Sequence, residues 1–139
     1  MTVAVTATGV TRFGKRPETL VELLAEAGAE ALEGIGRKPV DLLVVGHMAG
    51  GTLGASENTA AKVADRLGLD TRAALRVEAA SASGAAAFQS GVATVASGQY
   101  DRALVIAGEK MTGPANPEVA RALALSLAGS EIAHGATMP

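Results

Sequence analysis

The chain has 139 residues, of which 48% are hydrophobic and 19% charged, with a formal charge of -2. A sequence of this kind specifies a soluble globular domain with a sizeable core. No basic patch and only two Phe and one Tyr leave no platform on which nucleic-acid bases could stack, and the absence of cysteine removes disulfides, zinc thiolate sites and cysteine nucleophiles together.

The elements alternate in period along the chain. Residues 2–8 carry Val3 and Val5 among threonines and predict a strand, and the positions of Leu20, Leu23, Leu24, Ala27, Ala31 and Leu32 predict a helix that Gly34 and Gly36 end. Residues 40–45 are a short apolar run, the pattern of a strand buried on both faces, and residues 46–54 form a glycine-rich loop. Ser56 is the expected N-cap of a second helix, with Ala60, Ala61, Val63, Ala64 and Leu67 on its inner face and Gly68 at its end. Residues 74–79 predict the next strand. The helix over residues 83–97 is small or apolar on nearly every face, which predicts full burial, and Gly98 follows it. Residues 103–107 give another strand, and a last helix spans about residues 117–128. Alternation of strand and helix argues for an α/β fold, a mostly parallel sheet with helices on both faces and right-handed crossovers, in one domain covering residues 1–139. The first ten residues lack the pattern of a secretory signal and no stretch reaches membrane-spanning length, so no membrane partner and a cytoplasmic location are expected.

Four segments together carry a family resemblance: VTATGVTRF, DLLVVGHMAGG, VEAASASGAAAF and VASGQYDRALVIAGEKMT. In order and spacing they resemble the N-terminal half of the thiolase superfamily, and are most similar to its sterol-carrier-protein-type and acetyl-CoA acetyltransferase-like branch. The resemblance covers roughly residues 1–135, and residues 113–139 resemble the start of the region that covers the family's active site. It implies a five-layer fold of two similar halves that makes or cleaves carbon-carbon bonds next to an acyl-coenzyme A thioester, with no tightly bound cofactor. It also implies that the activating histidine and a second cysteine belong to the C-terminal half, and that the family nucleophile is a cysteine at the position of Ser81. A thiolate is favoured at a helix N-terminus, whereas a serine hydroxyl needs a neighbouring base. This chain by itself is therefore expected to perform no thiolysis. Either the sequence is a fragment or shortened gene product or a partner chain supplies the remaining half, and the family's common dimer, which joins subunits near the strand before the elbow, points to a homo-oligomer through residues 74–79. Non-catalytic acyl-CoA or subunit binding, and a cysteine-independent retro-aldolase working with a partner, stay open beside the acyltransferase reading.

Ser81 falls where the carboxyl end of a strand meets a helix N-terminus, the crevice in which open α/β sheets bind ligands, and its small neighbours leave room for a substrate. The bland alternative is an N-cap, a role Ser83 could also fill. His47 follows a strand on the same sheet edge, so a pair with Ser81, completed by Glu57 or Glu109, is conceivable. Otherwise it is a hydrogen-bonded structural residue, and the resemblance gives its loop position no catalytic role. Glu109 resembles a structural signature residue of the family. His134, Lys110, Arg12 and Lys15 read as solvated groups, and two histidines without thiols or an acidic cluster give no metal site. The loop GHMAGGTLG lacks both the lysine of a phosphate loop and the GxGxxG spacing, and reads as a flexible crossover.

Overall fold

A computed structural model describes residues 2–53 and 57–136. The first helix, α1 (Leu20–Gly34), begins with a reciprocal cap: Thr19 Oγ1 accepts the Glu22 N-H and Glu22 Oε2 accepts the Thr19 N-H, which satisfies two of the donors a helix start leaves unpaired. The chain continues through β1 (Leu42–Gly46), α2 (Thr59–Leu67), β2 (Ala73–Val77), α3 (Ser83–Ala96), β3 (Ala103–Ala107), α4 (Asn116–Ala124) and a single turn, α5 (Gly129–Ala133). Gly68 closes α2 at φ +63, a conformation that costs glycine nothing. The expected N-cap at Ser56 lies outside the described residues, and no helix among them is long and apolar enough to cross a membrane.

The strands form a parallel sheet in the order β2-β1-β3, with Leu42 opposite both Ala73 and Ala103 and Gly46 opposite both Val77 and Ala107. Every residue of β1 is buried, because this central strand is covered on both faces. Leu43 and Val45 point to one side, where they meet Leu104 and Ile106 of β3, Leu20, Leu24 and Leu32 of α1, and Val63 of α2. Leu42 and Val44 point to the other, against Ala87 of α3. Each buried Leu or Val contributes roughly 1.5–3 kcal/mol, so the apolar run in β1 is the centre of the fold. Helices on both faces of a parallel α/β sheet agree with the sequence reading.

Four expectations need correction. Residues 2–8 form no strand: with β3 they line a cavity of about 570 Å³ rather than joining its ladder. The segment leans on α1 instead. A Cβ at Gly9 would lie 2.2 Å from the Ala27 carbonyl oxygen, and the Val10 N-H bonds Glu30 Oε2 at 2.9 Å. The helix α3 is not buried all round. Only Ser83, Ala87 and Gly91, spaced one turn apart, are buried, and Phe88 is 46% exposed, because among the described residues α3 is the single helix on its side of the sheet. The strand expected over residues 74–79 ends at Val77, since Glu78 and Ala79 already belong to the turn into α3. The helix expected over about residues 117–128 is α4, which stops at Ala124, where Leu125, Ser126 and Leu127 donate to carbonyls three residues back, a tightening that ends the α-helical ladder.

Candidate active site

Parallel strands deliver all three candidate segments to one edge. His47 directly follows β1, Glu109 lies two residues after β3, and Ser81 lies four after β2. The connection leaving β1 passes to α2 on one face of the sheet and that leaving β2 passes to α3 on the other. Adjacent strands whose connections part in this way open a crevice between them at their carboxyl ends. It is a groove of about 370 Å³ lined by Met48 and Thr52 on one side and by Arg76 and Glu78 on the other. A second groove of about 600 Å³ adjoins it through Thr52, Ala122 and Leu125.

The turn from β2 to α3 is a tight elbow. Ala80 sits at φ +47, in the left-handed region that an L-residue with a side chain seldom enters. Its N-H donates to Glu78 Oε1 at 2.5 Å, and its carbonyl accepts from Ser83 Oγ at 2.6 Å and from Ser83 N at 3.1 Å. Ser83 Oγ in turn accepts the Ala79 N-H at 2.9 Å. The N-cap of α3 is Ala82, so neither serine fills the capping role the sequence allowed. Ser81 stands one residue before the cap. It is exposed, it lies at the N-terminal end of α3, where the helix dipole is positive, and among the described residues its hydroxyl makes no hydrogen bond. Gly46 lets the elbow sit this low on the sheet: a Cβ there would lie 2.7 Å from the Ser83 carbonyl oxygen and 2.9 Å from the Ala87 Cβ.

His47 is brought to the same edge but not to Ser81. It is 2% exposed, packed beneath Gly50, where a Cβ would fall 2.0 Å from its ring, and neither ring nitrogen has a hydrogen-bond partner. Burial pushes its pKa below the ordinary histidine value, and Arg76 adds to the effect while Glu109 and Glu57 oppose it. Glu109 is engaged elsewhere. Its Oε2 accepts the N-H groups of Met48 and Ala49 at 2.8 and 2.9 Å, fixing the first turn of the glycine-rich loop, while Oε1 is buried without a partner. No hydrogen bond links Ser81, His47 and either glutamate, so the conceivable triad is not assembled in this structure.

The remaining candidates occupy structural or solvated positions. Lys110 is half-buried and donates to the Arg16 carbonyl at 2.6 Å, tying the chain before α1 to the loop after β3. Arg12 and Lys15 are exposed, and exposed His134 bonds the Ser130 carbonyl at the end of α5. Among the described residues no three His, Asp or Glu side chains converge as a metal-binding group. Sequence reasoning missed Glu78 and the left-handed Ala80. Nothing in an alanine's identity marks it for positive φ, whereas a glutamate two residues before a small-residue turn is a weak signal that it could cap the turn's N-H.

The profile of the family described as "Thiolase, N-terminal domain" matches residues 3–139. An acetyl-CoA acetyltransferase of Methanothermobacter thermautotrophicus is 37% identical over 140 residues, covering 99% of this chain and 36% of the relative. One of Methanocaldococcus jannaschii is 42% identical over 113 residues, covering 79% of this chain and 29% of the relative. A beta-ketoacyl-[acyl-carrier-protein] synthase III of Streptomyces coelicolor is 36% identical over 101 residues, covering 73% of this chain and 32% of the relative. The chain thus spans about a third of the length of the curated relatives it matches.

Proposed function

From the premise that this chain belongs to the thiolase family through its N-terminal domain, we infer that it is the acyl-coenzyme A-handling half of a C-acyltransferase and performs no thiolysis by itself. The observation that carries this reading is Ser81: an exposed hydroxyl, free of hydrogen bonds among the described residues, at a strained elbow on the carboxyl edge of a parallel sheet. The elbow offers an acyl group the helix N-terminus. It offers no base, because the buried ring of His47 bonds neither Ser81 nor a carboxylate. A serine hydroxyl without a base stays protonated near neutral pH and is a poor nucleophile, so acyl transfer would require groups beyond those these residues supply. The substrate is then a coenzyme A thioester, the chain binds no resident cofactor, and it works in the cytoplasm. A cysteine-independent retro-aldolase would need the same outside groups.

Titration calorimetry with acetyl-coenzyme A and with an unreactive thioester analogue tests the binding part. Saturable heat with both, lost in a Ser81→Trp variant that fills the elbow, is the expected result. Absence of heat at millimolar ligand overturns it.

A second reading, subunit binding, is favoured by two surfaces. Among the described residues the outer edge of β2 is unpaired and Leu75 on it is 38% exposed, while α3 shows Phe88 to solvent. Bare sheet edges and apolar helix faces are sites of association. The chain accordingly forms a homo-oligomer through residues 74–79, or joins a chain that supplies a second layer over α3.

A further inference from the structure

We propose that Ser83 is the positioning residue of this elbow: its buried hydroxyl bridges the Ala79 N-H and the Ala80 carbonyl and thereby holds the backbone that presents Ser81. The proposal rests on the reading of Ser81 as the acyl-acceptor position. Ser83 is 4% exposed, and its Oγ accepts the Ala79 N-H at 2.9 Å while donating to the Ala80 carbonyl at 2.6 Å. A hydroxyl that accepts the Ala79 N-H and donates to the Ala80 carbonyl closes a ring around the backbone of Ala79 and Ala80. Within that ring Ala80 sits at φ +47, a conformation that persists only where its surroundings over-determine it.

The direction of the hydroxyl separates this role from ordinary helix support. Ser90 and Thr94 on the same helix donate to the carbonyls of Ala86 and Ser90, four residues back along α3, as mid-helix hydroxyls do. Ser83 turns its oxygen out of the helix and into the elbow. Glu78 completes the hold from solvent by accepting the Ala80 N-H, so both backbone polar groups of Ala80 are bonded. Among the described residues Ser81 makes no side-chain hydrogen bond of its own, so the placement of its Oγ relative to the dipole of α3 depends on the torsions that this ring fixes. Loss of the Ser83 hydroxyl lets Ala80 relax toward negative φ and swings the Ser81 side chain away from the helix axis.

The test uses a thiol as reporter. In a Ser81→Cys protein, the pH dependence of alkylation by iodoacetamide gives the thiol pKa, and a position aligned with a helix N-terminus lowers it from the ordinary value of about 8.5. Adding Ser83→Ala should return the midpoint toward that value and slow alkylation at pH 7 on the order of tenfold. Ser83→Thr, which keeps the oxygen, should restore the lowered midpoint, and Thr94→Ala, which removes a hydroxyl from the same helix, should leave it unmoved. A folded Ser81→Cys, Ser83→Ala protein whose profile superimposes on that of Ser81→Cys overturns the proposal while leaving the elbow reading intact. An ordinary thiol in Ser81→Cys itself overturns the elbow reading and the proposal with it, and the parent profile alone reveals this. If Ser83→Ala does not fold, it is remade with Ala80→Gly, for which positive φ is free of strain. Rescue of folding there supports the clamp, and failure in both backgrounds assigns Ser83 to the core and overturns it.

Discussion

Glu109 Oε2 lies 2.8 Å from Met48 N, joining residues 61 apart in sequence, and accepts Ala49 N as well. One carboxylate from the loop after β3 therefore sets the course of the glycine-rich loop after β1. Glu109→Ala leaves two partly buried donors without an acceptor, at about 1–3 kcal/mol each. Urea denaturation should show the loss in a lowered midpoint. Glu109→Gln, which keeps a carbonyl oxygen to accept them, should lose less.

Gly46 places the base of α3 against the central strand, and the site depends on that approach. Gly46→Ala forces a methyl to within 2.7 Å of the Ser83 carbonyl oxygen, where backbone must move. Overpacking of this kind costs about 1–3 kcal/mol. The displacement falls on the first turn of α3, so the variant combined with Ser81→Cys should also lose alkylation rate beyond the loss of stability. A Gly46→Ala protein with unchanged melting temperature would contradict the packing described here.

The buried ring of His47 makes stability depend on pH. Its folded pKa lies below the ordinary value of about 6.5, so between the two the unfolded chain binds the additional proton. Its contribution is present above about pH 6.5 and is lost as pH falls through that window toward the folded pKa. The midpoint of thermal unfolding should fall from pH 7.5 to 5.5, and a His47→Gln variant should flatten that slope. Equal slopes in the two proteins would assign the pH dependence elsewhere.

Association should be visible at micromolar concentration. Light scattering is expected to give a dimer or larger species, and Leu75→Lys, which sets a charge on the outer edge of β2, should shift it toward monomer. If Phe88→Asp dissociates it while Leu75→Lys does not, the α3 face is the contact. A clean monomer of the unmodified chain argues against both surfaces.

How much of this was legible depended on whether the signal was local. The run Leu42 to Val45 announced a doubly covered central strand because burial on both faces needs no partner information, and Gly68 and Gly98 marked helix ends through their positive φ. Residues 2–8 carried the right residue types for a strand, but pairing depends on a neighbour at strand distance, and a cavity stands there instead. For α3, apolar composition predicted burial while the number of layers on its face decided exposure. Ser81 was legible through a motif. The geometry that surrounds it was not, because left-handed Ala80 and the outward turn of Ser83 Oγ arise from the elbow as a whole.

The most direct test of the account is the intact mass of the purified chain after incubation with acetyl-coenzyme A, compared among the unmodified protein, Ser81→Cys and Ser81→Ala. An acetyl group on Ser81→Cys alone is the predicted result, since the elbow favours a thiolate and provides no base for a hydroxyl. An acetyl adduct on the unmodified chain that disappears in Ser81→Ala would contradict the account by making Ser81 a working nucleophile.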